Sequence, residues 1–446
     1  MRARALLVLL VAGLAFAVAA SAGVVRTAAA ATPNAVEQWN KIAEDTVVTS
    51  GAFQNEGLIY MGYVSAAVYD AVASIQSGYA TYGAALPYVP KGASADAAAI
   101  EAAYRTLLAY YPSQAATLTP LYLSSMLGIP AGPAKTGGEI VGLEASDQMV
   151  AIRSTDRRAT TLTSSSTFTT LPAGPGVWRM TPPAFLAPQT PWVANVRPFI
   201  LQKGDQFLPP PPPALSSTEW SDAFNQIKSV GAANSTTRTP AQTAVALFWT
   251  ANVIRQYNRA ARDIVDARGL GLLQTARLAA MVNVVGADAQ ISCMNAKYHY
   301  LFWRPVTAID PSAVTNDGFG ATPGVSDGDA ATAEQTGWRP LIATPNHPEY
   351  PAAHGSMTSA QAEVFATFLG TGQINIDIHG FDPAGPAGNL NAVRHFNSVD
   401  DLRTEIVNAR LWAGVHYPFS GLAGVTLGQN VAQYDLKHAF ARGKKH

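Results

Sequence analysis

An all-α fold, built as helical bundles joined by long ordered loops, is what this sequence predicts. Three observations carry the prediction. Apolar residues recur at helical spacing in one segment after another, as on a helix with a buried face. The same segments lack the alternation of β-branched residues that marks a strand. Apolar residues make up 48% of the 446, enough to fill one large core or two smaller ones.

The elements follow in order. Arg2 and Arg4 precede an uncharged apolar run from Ala5 to Ala20, and Ala-x-Ala sites follow at Ala20-Ser21-Ala22 and Ala29-Ala30-Ala31. This is the pattern of a secretory signal peptide, so 1–31 is expected to be removed and the protein to be secreted, extracellular, with Thr32 as its first residue. The apolar run is shorter than the ~20 residues that a membrane span needs. Asn34 then caps a helix with Val36, Trp39, Ile42 and Ala43 at helical spacing. Glu56–Ile75 is a small-residue helix carrying Tyr60, Tyr63 and Tyr69, Ala93–Tyr111 is Ala-rich, and Gly138–Arg153 is a further helix. Residues 156–215 break this rhythm with a Ser/Thr run, many prolines and the run Pro209–Pro213, which cannot be helical. Trp178, Phe185, Trp192 and Phe199 punctuate the stretch. Flexible linkers are poor in aromatics, so it reads as an ordered excursion packed on one domain.

Residues 32–215 are therefore read as an N-terminal helical region with a Pro-rich excursion, and 216–446 as a C-terminal helical catalytic region. In the latter, helical signal returns at Ser217. Ala241–Val265 and Leu272–Trp303 read as long helices, Asp310–Gly337 as loop, and Ser356–Leu369, Asp400–Trp412 and Gly421–Phe440 as the remaining helices.

Composition narrows the function. Thirty basic and thirty acidic residues cancel, and charged residues reach only 13%, where ~25% is usual. Nothing here points to a nucleic acid or an anionic membrane as partner. Cys293 is the single cysteine, which excludes an intrachain disulfide. It lies in an apolar helical pattern and reads as a packed residue. No segment after the signal peptide is expected to span a membrane; the best candidate, Pro240–Ile254, is short and contains Gln, Thr and Asn.

All eight histidines lie after residue 298, which puts the chemistry in the C-terminal third. Three patterns stand there. Lys297-x6-Arg304-Pro305 is expected to place two cations on one helical face, two turns apart, where a shared anion would relieve their repulsion; snorkelling or pairing with acids is the other reading. His347-Pro348-Glu349-Tyr350-Pro351-Ala352-Ala353-His354-Gly355-Ser356 is a Pro/Gly loop running into a helix. Free backbone amides at such a junction bind anions, and His354 beside them suits proton transfer; a histidine that merely caps the helix is the alternative. Arg410-x5-His416 spans a helix end, with a guanidinium able to donate two hydrogen bonds to an oxyanion and an imidazole that turns back toward it.

Together and in this order, Lys-x6-Arg-Pro, Pro-x-x-His and Arg-x5-His resemble the three-part signature of the vanadium-dependent haloperoxidase and acid phosphatase superfamily. Tyr69-Asp70-Ala71 and Phe248-Trp249 are similar to bacterial haloperoxidase sequences, so the resemblance extends loosely from about Ala35. It implies vanadium haloperoxidase-like helical bundles and a site for vanadate, with phosphate able to occupy the same place. By matched position, Lys297, Arg304 and Arg410 would hold the equatorial oxygens, and the Ala353 N–H would help. His416 would bind vanadium axially, or attack phosphorus in a phosphatase. His354 would serve as acid and base, and Lys297 would polarise bound peroxide. The implied reaction uses hydrogen peroxide to oxidise a halide, with an organic acceptor downstream. A phosphatase acting through a phosphohistidine and a secreted binding protein with a dead site are the alternatives.

Departures from the signature are Ala352 and Ala353 for its Ser-Gly, which removes a hydroxyl donor, and Ala409 for the serine before the arginine. In the resembling family the position of His347 lies beside the vanadate, and a histidine there is similar to bromide-oxidising members, which makes His347 the halide-site candidate with bromide as the expected preference; a loop histidine hydrogen-bonded to backbone is the other reading. His299, His379, His395, His438 and His446 are read as structural or exposed. Asp400, Asp401 and Glu405 are candidates to orient Arg410.

Overall fold

The computed structural model describes residues 32–158, 174–314, 326–380 and 392–442; the signal peptide expected over 1–31 and the tail residue His446 lie outside them. The fold is all-α as predicted, with thirteen α-helices and one two-stranded hairpin among the described residues. Asn34 accepts the Glu37 N–H at 3.1 Å and starts α1 (Ala35–Thr49), which buries Val36, Trp39, Ala43 and Val47. α2 (Gln54–Ile75) is buried on nearly every side, because Gly, Ala and Ser let its neighbours approach while its tyrosines fill the gaps. By length and composition α2 is apolar enough to cross a membrane, a point the sequence reading passed over; here it is a core helix. α3 (Ala95–Tyr110), α4 (Ala115–Leu127) and α5 (Pro133–Arg153) flank it. Gly138 and Gly142 lie so close to α3 that a Cβ would stand 2.3 Å from Ser94 O and 2.5 Å from Ala98 O.

After the excursion come α6 (Thr218–Val230), α7 (Pro240–Phe248), α8 (Val253–Arg268) and α9 (Leu272–Tyr300), the last packed along α2. A short α10 (Pro305–Ile309) precedes α11 (Ala353–Leu369). The hairpin pairs β1 (Ile376–His379) with β2 (Val393–Phe396), and α12 (Val399–Trp412) and α13 (Pro418–His438) close the chain. One hydrophobic core runs from α1 to α13. A smaller, aromatic one holds Trp220, Phe302, Trp303, Tyr350, Tyr417 and Phe419.

The described part of the excursion is ordered, as expected. Trp178 is buried, and its N–H donates to Leu301 O at 2.6 Å. Buried Asp288 of α9 takes the N–H groups of Phe199, Ile200 and Leu201 at 2.6–3.1 Å. Pro209 O and Pro210 O accept the hydroxyls of Tyr300 and Tyr350.

Four elements differ from expectation. The helix read over 241–265 is two helices, because Asn252 caps the second by accepting from Ile254 and Arg255 N–H. α4 was not read: it contains Pro120 and exposes Leu121, Leu123 and Leu127, so it has no single apolar face. The hairpin was also missed, being two strands of four residues each. Finally, Lys297 and Arg304 do not share a helix. α9 ends at Tyr300, Leu301 takes a left-handed φ of 50°, and Arg304 is the N-cap of α10. Phe302 bridges to Val177 there, so the chain is drawn into an extended segment.

Candidate active site

Each motif arrives on a segment that its aromatic neighbours anchor. Phe302 and Trp303 precede Arg304, Tyr350 follows Glu349, and Tyr417 follows His416; these rings gather around Trp220. Trp303 stacks on Trp220 at 5.7 Å between centroids, and Tyr417 meets it edge-on at 5.1 Å. With the rings packed to one side, Arg304, Glu349 and His416 meet on the other. A second constraint comes from glycine. A Cβ on Gly424 would lie 2.4 Å from Ala352 O, and one on Gly428 would lie 1.9 Å from Ser356 O. Only glycine lets α13 approach α11 this closely, and that approach holds His354 on α11 near the loop carrying His416.

The structure brings every predicted site residue together. Lys297 Nζ donates to Pro348 O at 3.0 Å and Glu349 O at 2.8 Å. Arg304 Nε donates to His347 O at 2.9 Å, its Nη1 donates to Val415 O at 2.9 Å and lies 3.3 Å from His416 Nε2, and its Nη2 lies 3.0 Å from His347 Nδ1. The two cations therefore reach one point although they stand on different elements, because both grip the segment 347–349. Arg410 Nη1 donates to Trp249 O at 3.3 Å, while its Nε is buried with no partner. The break between α7 and α8 is what frees that carbonyl.

Lys297 and Arg304 are fully buried and Arg410 nearly so. Among the described residues no carboxylate lies within ion-pair distance of any of the three. Burial pushes Lys297 down to about 7, Arg304 to about 10 and Arg410 to about 9, and repulsion by neighbouring cations adds to this at Lys297 and Arg410. Burying a cation costs several kcal/mol, by order of magnitude, unless it is compensated. A tetrahedral oxyanion would supply that compensation to all three.

Glu349 is the functional residue that the sequence reading left unassigned. Its Oε1 lies 2.8 Å from His416 Nδ1 and accepts the Tyr417 N–H at 3.1 Å. It is fully buried, and burial pushes it up to about 7. His416 is held well below the usual histidine range, first by burial and then by the neighbouring cations, so its ring is neutral. A neutral ring that donates from Nδ1 to a carboxylate presents its lone pair at Nε2. Nothing in sequence spacing reveals this pairing, which depends on how the 349 and 416 segments cross.

His354 is likewise held neutral, chiefly by burial, and its Nε2 has no partner. It stands in the first turn of α11 rather than in the loop before it. Ala352 is the N-cap of this helix and offers no side-chain hydrogen bond, so the missing hydroxyl has no local substitute there. His347, nearly buried, contacts Arg304 through Nδ1 and faces the same pocket. The acids expected to orient Arg410 are engaged elsewhere. Asp400 is exposed beside Arg403, Asp401 belongs to the α12 capping box, and Glu405 pairs with Arg394 and accepts the Trp249 indole N–H. Cys293 is buried and packed, as read.

His347, Ala353, His354 and His416 line one side of a cavity of about 250 Å³. Its other walls include Phe53, Asn55, Leu58 and Gln189. Residues of the N-terminal part thus wall the cavity, while the histidines and cations that carry the chemistry all come from the C-terminal third.

The state of Lys297 has a measurable consequence. Its protonated form attracts an anion, and Glu349, protonating in the same range, works in the same direction. Affinity for sulfate, which keeps its charge throughout, should be highest below about pH 7 and fall as the pH rises. Each proton lost contributes at most about ten-fold per unit. Calorimetric titration across pH checks this, and Lys297→Met should both weaken binding and flatten the slope.

Known proteins resemble this chain in sequence and in fold. The family model described as the VCPO second helical-bundle domain matches residues 277–443, which contain all three motifs. A vanadium chloroperoxidase from Curvularia inaequalis is 27% identical over 277 residues, covering 50% of this chain and 44% of that protein, less than half its length. Among solved structures, the first bacterial vanadium-dependent iodoperoxidase matches with a TM-score of 0.72 and 20% identity, covering 92% of this chain and 98% of that one. A holo-type bacterial vanadium-dependent chloroperoxidase matches with a TM-score of 0.63 and 15% identity, covering 90% and 93%. These two likenesses establish a common fold.

Proposed function

The chain belongs to the vanadium-dependent haloperoxidase and acid phosphatase superfamily, and from that premise we propose that it is a secreted haloperoxidase that oxidises halide with hydrogen peroxide. The observation that carries this reading is the trio of buried cations without a carboxylate partner, converging beside a neutral histidine whose Nε2 faces Arg304. Vanadate fits this donor set. Lys297, Arg304 and Arg410 would neutralise its oxygens, the unpartnered Arg410 Nε being one ready donor, and His416 Nε2 would bind the metal. The Ala353 N–H, in the first turn of α11, supplies a further donor at a helix N-terminus. When bound, vanadate supplies Lewis-acid activation of peroxide toward halide. His354 Nε2, buried and unpartnered, is placed to take the proton that peroxide gives up. Glu349 fixes the His416 ring, and the Trp220 cluster shields the outer side of the segments that carry these residues. His347, touching both Arg304 and the cavity, is the proposed halide contact, with bromide favoured over chloride.

The test uses protein recovered from culture medium, where a mature N-terminus at Thr32 rather than Met1 is expected. Metal-free protein should be inert toward bromide and peroxide, gain activity on adding vanadate, and lose that gain to phosphate. Hydrolysis of p-nitrophenyl phosphate by the metal-free protein, inhibited by vanadate and without halide oxidation, would instead assign it to the phosphatases.

A further inference from the structure

Away from the three motifs, a groove of about 410 Å³ collects Arg268, Arg277 and Arg442. They come from the end of α8, the second turn of α9 and the segment after α13. No Asp or Glu side chain lines the groove, and among the described residues none of the three arginines forms an ion pair with an acid. Asp263 of α8 is engaged by Arg259 and His379 instead. Arg277 is held in place. Its Nε donates to Phe440 O at 2.9 Å, and its guanidinium carbon lies 4.7 Å from the Tyr79 ring centre and 5.7 Å from that of Phe368. This leaves its two terminal nitrogens as a fork for a head group with two oxygens. Burial holds Arg277 below the usual arginine range, and the Arg442 charge adds to this. Gln274 donates to the Tyr79 hydroxyl at 3.0 Å; with the Arg277 and Arg442 charges it holds that phenol below its ordinary value, against the effect of burial. The rest of the lining is apolar, made by Leu270, Phe368 and Leu369.

We propose that this groove binds an organic anion, a carboxylate head on an apolar body of aromatic size. The negative charge follows from three guanidinium groups that no acid offsets. The carboxylate follows from the Arg277 fork, since its two oxygens lie in one plane and accept both N–H bonds at once. The body follows from Leu270, Phe368 and Leu369, a surface that a bare ion would leave unused. The groove is separate from the oxyanion pocket. Arg277 precedes Lys297 by twenty residues on α9, which is ~30 Å along the helix axis. The two cavities share no lining residue. The proposal therefore stands whether or not the protein oxidises halide.

The probe is 2-naphthoate, with acetate supplying the head alone and 2-naphthylmethanol the body alone. In calorimetric titration, wild-type protein should bind one naphthoate per chain saturably, and each partial analogue about ten-fold more weakly or worse. The double variant Arg268→Ala, Arg442→Ala should bind naphthoate about ten- to hundred-fold more weakly, through lost charge-assisted hydrogen bonds. Both of these side chains are exposed, so circular dichroism should show an unchanged fold. Arg410→Ala, which alters the oxyanion pocket, should bind naphthoate as wild type does. The wild-type titrations decide the matter even if a variant does not fold. No saturable naphthoate binding, or equal binding of 2-naphthylmethanol or acetate, overturns the proposal. So does naphthoate binding that the double variant keeps or that Arg410→Ala loses.

Discussion

His416→Ala should abolish turnover, by ~10³-fold or more, while leaving the helical fold intact. The imidazole supplies the one lone pair that the surrounding cations cannot replace, since Lys297, Arg304 and Arg410 offer only donors. The ring is also a hub. Its Nδ1 holds Glu349, and its Nε2 stands 3.3 Å from Arg304. Removing it leaves the buried Glu349 carboxyl with only the Tyr417 N–H, so some loss of thermal stability should accompany the loss of activity. Steady-state assay of vanadate-loaded protein, with circular dichroism as the fold control, checks this. Wild-type-like rates in a folded variant would remove His416 from the site.

Glu349→Ala should reduce vanadate affinity by about 10–100-fold, the usual effect of deleting the group that orients a metal-binding histidine. Without the carboxyl, His416 is free to exchange the proton between its nitrogens, and the tautomer with the lone pair at Nε2 is no longer enforced. Glu349→Gln should fall between wild type and Ala, since its amide oxygen still accepts from Nδ1 but carries no charge. Nitrogen-15 spectra of the His416 ring in the metal-free protein give a readout independent of activity. Nδ1–H should dominate in wild type and in Glu349→Gln, and give way to a mixture in Glu349→Ala. An unchanged tautomer and unchanged affinity in Glu349→Ala would make the 2.8 Å contact incidental.

The parts of this architecture that were legible in the sequence are those with local signatures. Asn34 as a cap, the small-residue helix read over 56–75 and the lone packed Cys293 follow from composition and spacing. So does the grouping of the cations and histidines into three motifs. What was not legible depends on chain crossings. Lys297 and Arg304 were placed on one helix by their spacing, yet Phe302 and Trp303 prefer the Trp220 cluster, and that preference ends α9 at Tyr300. The Arg410 partner was sought among nearby acids and is instead the Trp249 carbonyl, freed by a helix break that Asn252 caps. Glu349 sat in plain view within a motif, but its role rests on a contact with a residue 67 positions away. Phe53, Leu58 and Gln189 escaped notice because a cavity wall drawn from separate segments has no linear pattern.

The most direct measurement is an equilibrium titration of metal-free protein with vanadate, repeated with phosphate present and with Arg410→Ala. One vanadate per chain is expected to bind, with phosphate competing for the same site. Affinity should fall in Arg410→Ala by the equivalent of one charge-assisted hydrogen bond, ~1.5–3 kcal/mol. No saturable binding, or binding that neither phosphate nor the Arg410 substitution alters, would contradict an oxyanion pocket built from Lys297, Arg304, Arg410 and His416.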